Sequence, residues 1–219
     1  MIEISPSLLP LANDVMFEYA NKAVELGVPR LHLDIIDGQF VNKHGLPDDI
    51  VKTVLENFHH AVNVDVHLMV KDPLTYILKP YYALSSKIYV HIQNDKAYEQ
   101  SLYETIHAIG CEPGLVISPD EAIDHTLDTE HFKSILMMGV VPGLSGQAML
   151  PNTLPRIQQL KTLINQASND NYHITLDGGV TKQHLLQLNG QIDCCVMGAA
   201  IFNHPDWESE LNKLLIAVK

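Results

Sequence analysis

Short apolar runs alternate with longer amphipathic stretches along the whole chain. The runs Ile2–Leu9, Arg30–Ile36, Asn63–Met69, Lys87–His91, Gly114–Ser118, Ser134–Val140, His173–Asp177 and Cys194–Gly198 read as strands. Between them, helical periodicity predicts helices over Asp14–Leu26, Asp48–Asn57, Tyr98–Ile109, Thr153–Ala167 and Trp207–Val218. In the first of these, Val15, Phe17, Tyr19, Ala23, Val24 and Leu26 gather around one face, and Gly27 supplies the stop. Pro47 and Pro73 stand where helix starts are expected. Eight strand–helix units in 219 residues average about 27 residues each, the rhythm of a parallel sheet with short loops. An open doubly wound sheet and a closed barrel share that rhythm, but a count of eight favours the α/β (β/α)8 TIM barrel. The unit around Ser118–Asp128 is the weakest. No Ser/Gly-rich linker, charge block or low-complexity segment divides the chain, so residues 1–219 read as one domain.

Composition narrows the partners. Hydrophobic residues make up 46% and charged residues 18%, which excludes a disordered or collagen-like chain. Twenty-six acidic against 14 basic residues give a net charge of −12, arguing against a nucleic-acid or anionic-membrane binder. A small anion remains compatible, because backbone N–H groups hold phosphate without net positive charge. Cys111, Cys194 and Cys195 form neither a CxxC pair nor a spaced zinc framework, and read as reduced thiols. The N-terminus lacks the pattern of a signal peptide, and no apolar run is long enough to span a bilayer. A cytoplasmic protein is expected, with the oligomeric state left open.

Polar residues on the strands carry the chemistry. With a period of two, His32 and Asp34 share one face of the second strand while Leu33 and Ile35 take the other. The third strand brings His67 near its end, and the seventh ends in Asp177 followed by Gly178 and Gly179. In a barrel these ends converge on the face that carries active sites. Two imidazoles and two carboxylates meeting there suit a borderline divalent metal: Zn2+, Fe2+, Mn2+ or Co2+. Each residue alone is more readily read as a buried, hydrogen-bonded side chain; four at comparable strand ends favour the metal site. Glycine-bearing loops follow strands six, seven and eight: Val141–Gln147, Asp177–Val180 and Met197–Phe202. Such loops hold phosphate by backbone N–H groups in many barrels, although a glycine after a strand is more often only a turn. No Gly-x-x-x-x-Gly-Lys loop or dinucleotide fingerprint is present. His59 and His60 read as a solvated pair, and His44, His107, His125, His131, His184 and His204 as surface residues.

Six segments together resemble the ribulose-phosphate 3-epimerase family: Ile4–Leu9, His32–Val41, Asp65–Val70, Met138–Gly143, Asp177–Gly179 and Gly198–Phe202. The resemblance implies a barrel of the ribulose-phosphate-binding type and one divalent metal ion. It also implies an isomerase of carbohydrate metabolism that interconverts D-ribulose 5-phosphate and D-xylulose 5-phosphate. By position, His32, Asp34, His67 and Asp177 would be the metal ligands, and Asp34 and Asp177 the acid–base pair. Ser7, His67, Met69, Met138, Gly143, Gly146, Gly178, Gly179, Gly198 and Ala199 would contact the sugar phosphate. Several positions depart from the family pattern. A methionine before Asp-Gly is Ile36; Pro-Asn after Phe40-Val41 is Asn42-Lys43; the glutamate of a His-x-Glu is Gln93. The Asn-Pro-Gly-Phe-Gly-Gly loop reads Val141-Pro142-Gly143-Leu144-Ser145-Gly146, and a serine after strand eight is Ala199. These departures leave two alternatives open: an epimerase for another ketose phosphate such as D-allulose 6-phosphate, or a barrel that binds sugar phosphate without turning it over.

Overall fold

A computed structural model describes residues 1–92, 95–143, 145–166 and 171–218. The departures at Gln93 and Leu144, and the last residue expected of the Thr153–Ala167 helix, lie outside the described residues. The strands are β1 Glu3–Pro6, β2 Arg30–Ile36, β3 Asn63–Met69, β4 Lys87–His91, β5 Glu112–Ile117, β6 Ser134–Met138, β7 His173–Asp177 and β8 Cys194–Met197. All pair in parallel in the order β1-β8-β7-β6-β5-β4-β3-β2. A parallel bridge between Ser7 and His32, with Leu8 N–H donating to His32 O at 3.1 Å, nearly closes the ring between β1 and β2. This is the expected (β/α)8 barrel.

The outer layer contains α1 Asn13–Glu25, α2 Asp48–Phe58, α3 Pro73–Ile77, α4 Lys96–Ala108, α5 Thr153–Gln166, α6 Lys182–Leu188, α7 Ala199–Phe202 and α8 Trp207–Ala217. Leucines and isoleucines pointing outward from the strands (Leu31, Leu33 and Ile35 on β2) pack against these helices in one continuous core. In α1 the deepest side chains are Met16, Ala20 and Ala23, spaced four and three apart. Phe17 and Tyr19 sit on the flanks, where they meet α2 and α8 through Phe58 (6.4 Å) and Trp207 (4.7 Å). The expectation of a helix in every unit fails once. Residues 118–133 join β5 to β6 by turns, capped locally by Asp124 and Asp128 side chains accepting from nearby backbone N–H groups. Closely spaced aspartates favour such turns over a continuing helix.

Inside the barrel, side chains stack in layers. At the N-terminal floor, Arg30 Nη1 donates to Asp65 Oδ2 at 2.6 Å and its Nε to Glu3 Oε2 at 2.7 Å. Lys87 Nζ reaches Ser134 Oγ at 2.8 Å and Glu112 Oε1 at 3.2 Å. Above them, Tyr89 OH meets Thr175 Oγ1 at 3.0 Å, and its ring lies where a Cβ on Gly114 would stand. Only glycine lets Tyr89 fill the centre, with Val116, Leu136, Met138 and Val140 packed around it. The third layer, at the C-terminal ends of the strands, holds the candidate chemistry.

Candidate metal centre and active site

Period-two alternation carries His32 and Asp34 on β2, His67 on β3 and Asp177 on β7 into the barrel, and strand register brings them level. Asp34 pairs with His67 across β2–β3, and Asp177 with Val196 across β7–β8. One ligand atom from each of His32, Asp34, His67 and Asp177 lies within 4.8 Å of every other. His67 Nδ1 stands 3.2 Å from Asp34 Oδ1 and 3.5 Å from Asp177 Oδ2. His32 Nε2 stands 3.5 Å from Asp34 Oδ1 and 3.9 Å from Asp177 Oδ2. His32 is fully buried, and neither of its ring nitrogens has a hydrogen-bond partner. A buried polar atom without a partner is costly, so an orphaned Nε2 aimed between two carboxylates fits a ligand atom for a cation. Two imidazole nitrogens with two carboxylate oxygens are also a donor set for a borderline divalent ion.

Electrostatics agree with that reading. Burial alone would lower the His67 pKa, but hydrogen bonds and attraction from Asp177 and Asp34 outweigh it and raise it to about 9. Burial would lower the His32 pKa too, but the charge of Asp34 close by outweighs it and raises it. Burial pushes Asp34 up, yet His32 and His67 win and hold it well below the usual carboxylate range. Ser7 Oγ donates to Asp34 Oδ2 at 2.7 Å, which fixes that carboxylate further. Behind the cluster, His67 Nε2 meets His91 Nε2 at 2.9 Å. Burial, then the charge of His67, lowers the His91 pKa well below that of a free imidazole.

A cavity of about 550 Å3 opens above this layer at the C-terminal mouth. Asp34 and Asp177 form its base, while His32 and His67 are sealed beneath it. Of the expected substrate contacts, Ser7, Met69, Met138, Gly143, Gly146, Gly178, Gly179, Gly198 and Ala199 all line the cavity, and His67 does not. Gly178 and Gly179 have φ of +104° and +71°, a turn that L side chains rarely adopt. Among the described residues lining the cavity there is no Lys or Arg. One expectation needs correction. His184 is not a bystander on the surface: it lines the cavity, and its Nδ1 accepts from Thr181 N–H at 3.2 Å in a capping box that starts α6. The helix after Gly198 is only the four-residue α7, too short to add much dipole attraction. Asn203, at the end of α7, also lines the cavity and was not anticipated. Neither it nor His184 carries a signal in spacing, because both reach the cavity from helices rather than strand ends.

A parallel barrel with ionisable side chains clustered at the base of a C-terminal cavity defines an enzyme of the (β/α)8 class. The chain belongs to the ribulose-phosphate 3-epimerase family: the family model matches residues 3–202. Family members are carbohydrate epimerases, in the isomerase class. The ribulose-phosphate 3-epimerase of Escherichia coli (strain K12) is 28% identical over 215 residues, covering 96% of this chain and 93% of that protein. The enzyme of the same name from Bacillus subtilis (strain 168) is 26% identical over 221 residues, covering 98% of each. Among solved structures, KGPDC from Streptococcus mutans superposes with a TM-score of 0.72 at 11% identity, covering 100% of this chain and 97% of that one. 3-Hexulose-6-phosphate synthase from Salmonella typhimurium superposes with a TM-score of 0.67 at 13% identity, covering all of both chains. At such identities these two likenesses speak to the barrel alone.

Proposed function

We propose that the chain, acting as one domain, catalyses epimerisation at C3 of a ketose phosphate, with D-ribulose 5-phosphate and D-xylulose 5-phosphate as its substrate pair. The observation that carries this reading is the meeting of Asp34 and Asp177 with two buried histidines at the base of the cavity. Inversion at a carbon beside a ketone needs a proton taken from one face and another delivered to the opposite face. Two carboxylates facing one cavity suit that task, and their roles exchange when the reaction runs backwards. Asp34, held ionised by His32 and His67 and oriented by Ser7, is ready to accept a proton in the free enzyme. In that direction Asp177 enters carrying a proton and delivers it from the other side, and proton exchange with solvent resets the two carboxylates after release.

His32, Asp34, His67 and Asp177 would hold one divalent ion, Zn2+, Fe2+, Mn2+ or Co2+. When bound, such an ion supplies electrostatic stabilisation for the negative charge of the enediolate. Met69 and Met138 present a polarisable apolar wall to that intermediate and keep water from it. The phosphate is assigned to the rim, against backbone N–H groups of Gly146, the Gly178–Gly179 turn and the Gly198–Ala199 step. Glycine there allows close approach, and with no Lys or Arg among the described lining residues, backbone donors do the holding.

The test is an assay of the purified protein on D-ribulose 5-phosphate in deuterated water, with metal analysis of the same sample. Formation of D-xylulose 5-phosphate carrying deuterium at C3 is the expected result. Turnover of D-allulose 6-phosphate instead would move the substrate while keeping the chemistry; that outcome has a specific basis, since Ser145 and Ala199, two departures from the family pattern, both line the cavity. Tight binding of either sugar phosphate with no exchange at C3 would overturn the epimerase reading.

A further inference from the structure

His67 faces the cluster with one nitrogen and a buried chain of polar groups with the other. Its Nδ1 points at Asp34 Oδ1 and Asp177 Oδ2. Whether His67 is an imidazolium against those carboxylates or a neutral ring with a cation at Nδ1, its Nε2 carries a hydrogen. That Nε2 lies 2.9 Å from His91 Nε2, which must therefore accept. His91 in turn carries its own hydrogen on Nδ1, 3.2 Å from Ser118 Oγ. Beyond Ser118 Oγ, the turn is closed by the Glu121 carboxylate, to which Ser118 N–H donates at 2.5 Å. Arg156 Nη2 clamps the same turn through Ser118 O at 2.9 Å, and the Phe40 ring packs against His91 with centroids 4.4 Å apart. His91 and Ser118 are both buried, and Glu121 is half-buried in the helix-free segment after β5.

Each ring donates outward, His67 to His91 and His91 to Ser118, and the Ser118 backbone is anchored on the Glu121 carboxylate. The network therefore orders one tautomer of each ring, fixes the plane of His67 and pushes electron density toward its Nδ1. We propose that His91, Ser118 and Glu121 form a positioning relay that holds His67 in its ligating orientation and tightens the grip of the four-residue cluster on a divalent cation. The proposal rests on the metal-site reading above. It also gives the turn after β5 a task that a helix there would not perform: it delivers a carboxylate to the outer end of the chain.

The test uses the full chain stripped with a chelator and titrated with Zn2+ or Co2+ in competition with a chromophoric chelator. Wild type should bind one equivalent. His91→Leu should bind about 10- to 100-fold more weakly, the usual range for loss of a group supporting a ligating histidine. His91→Gln, whose amide oxygen can accept from His67 Nε2, should recover part of that loss. Ser118→Ala and Glu121→Gln should weaken binding in the same direction while the melting temperature of the metal-free protein stays near wild type. A merely structural role would lower that melting temperature and leave affinity untouched. If His91→Leu does not fold, the two outer variants decide. Wild-type affinity in Glu121→Gln and Ser118→Ala, beside a wild type that binds one equivalent, would overturn the relay and leave the metal site standing. A wild type that binds no ion would overturn both.

Discussion

Asp34 is held from three directions, by Ser7 Oγ at 2.7 Å, His67 Nδ1 at 3.2 Å and His32 Nε2 at 3.5 Å, whereas Asp177 keeps its carboxylate toward the cavity. On the proposed mechanism, Asp34→Asn and Asp177→Asn each lower kcat by at least about 100-fold, the lower range for a positioned acid or base. Metal content measured on the same samples separates lost proton transfer from lost ligation; a metal-replete Asp177→Asn enzyme with near-normal kcat would remove Asp177 from the acid–base pair. At the rim, Gly198 is constrained by its neighbours rather than by φ, which is −104°. A Cβ there would stand 3.2 Å from Pro10 Cδ and 3.4 Å from Ser7 Cβ. Gly198→Val is therefore expected to raise KM for the sugar phosphate by crowding the phosphate seat, with circular dichroism checking that the barrel persists. At this scale much of the candidate site was legible in advance, since period-two alternation puts His32 and Asp34 on one face of β2, and position at the strand ends adds His67 and Asp177. His91 and His184 were not. The significance of His91 depends on Ser118 of the neighbouring strand end, and that of His184 on where α6 begins; neither fact is local in sequence.

The eight strands and all five helices expected from the sequence survive with their ends shifted by a few residues, as in β1, which runs Glu3–Pro6 rather than Ile2–Leu9. Apolar runs mark burial, and buried chain continues past the last ladder hydrogen bond: Ser7 and Leu8 are buried but lie outside β1. The missing helix after β5 falls where the sequence pattern was weakest. The ion pairs at the floor were invisible as a unit, because Glu3, Arg30, Asp65, Lys87 and Glu112 come from five different strands. These contacts tie β1, β2 and β3 together at their N-terminal ends through Arg30. Arg30→Ala would leave the buried Asp65 carboxylate without its guanidinium, and is expected to destabilise the fold by about 3 kcal/mol or more in urea unfolding. A double variant, Arg30→Met with Asp65→Leu, should recover much of that loss, because removing both charges removes the stranded one.

Across the whole molecule, the three thiols report on integrity. Burial pushes Cys111 up to about 11 and Cys195 up to about 12, and Cys194 is raised well above its ordinary value. The native protein is expected to be inert to a thiol-specific chromogenic reagent at pH 8, while the urea-unfolded chain releases three equivalents. The same shifts fix a pH dependence. Above pH 9 the unfolded thiols lose protons that the folded ones retain, so unfolding is favoured as pH rises from 9 toward 11, and this contribution is absent below that window. Denaturant midpoints at pH 8 and pH 10 check the sign. The filled floor of the barrel has a consequence for traffic. With Arg30, Asp65, Lys87 and Tyr89 packing the interior beneath the cluster, a molecule at the base of the cavity leaves by the way it came. On the proposed reaction, the two sugars differ at one stereocentre and share both seat and doorway. Each turnover must then vacate before the next begins, product should compete with substrate with an inhibition constant close to KM, and the direction of flux should follow the ratio of the two sugars in solution.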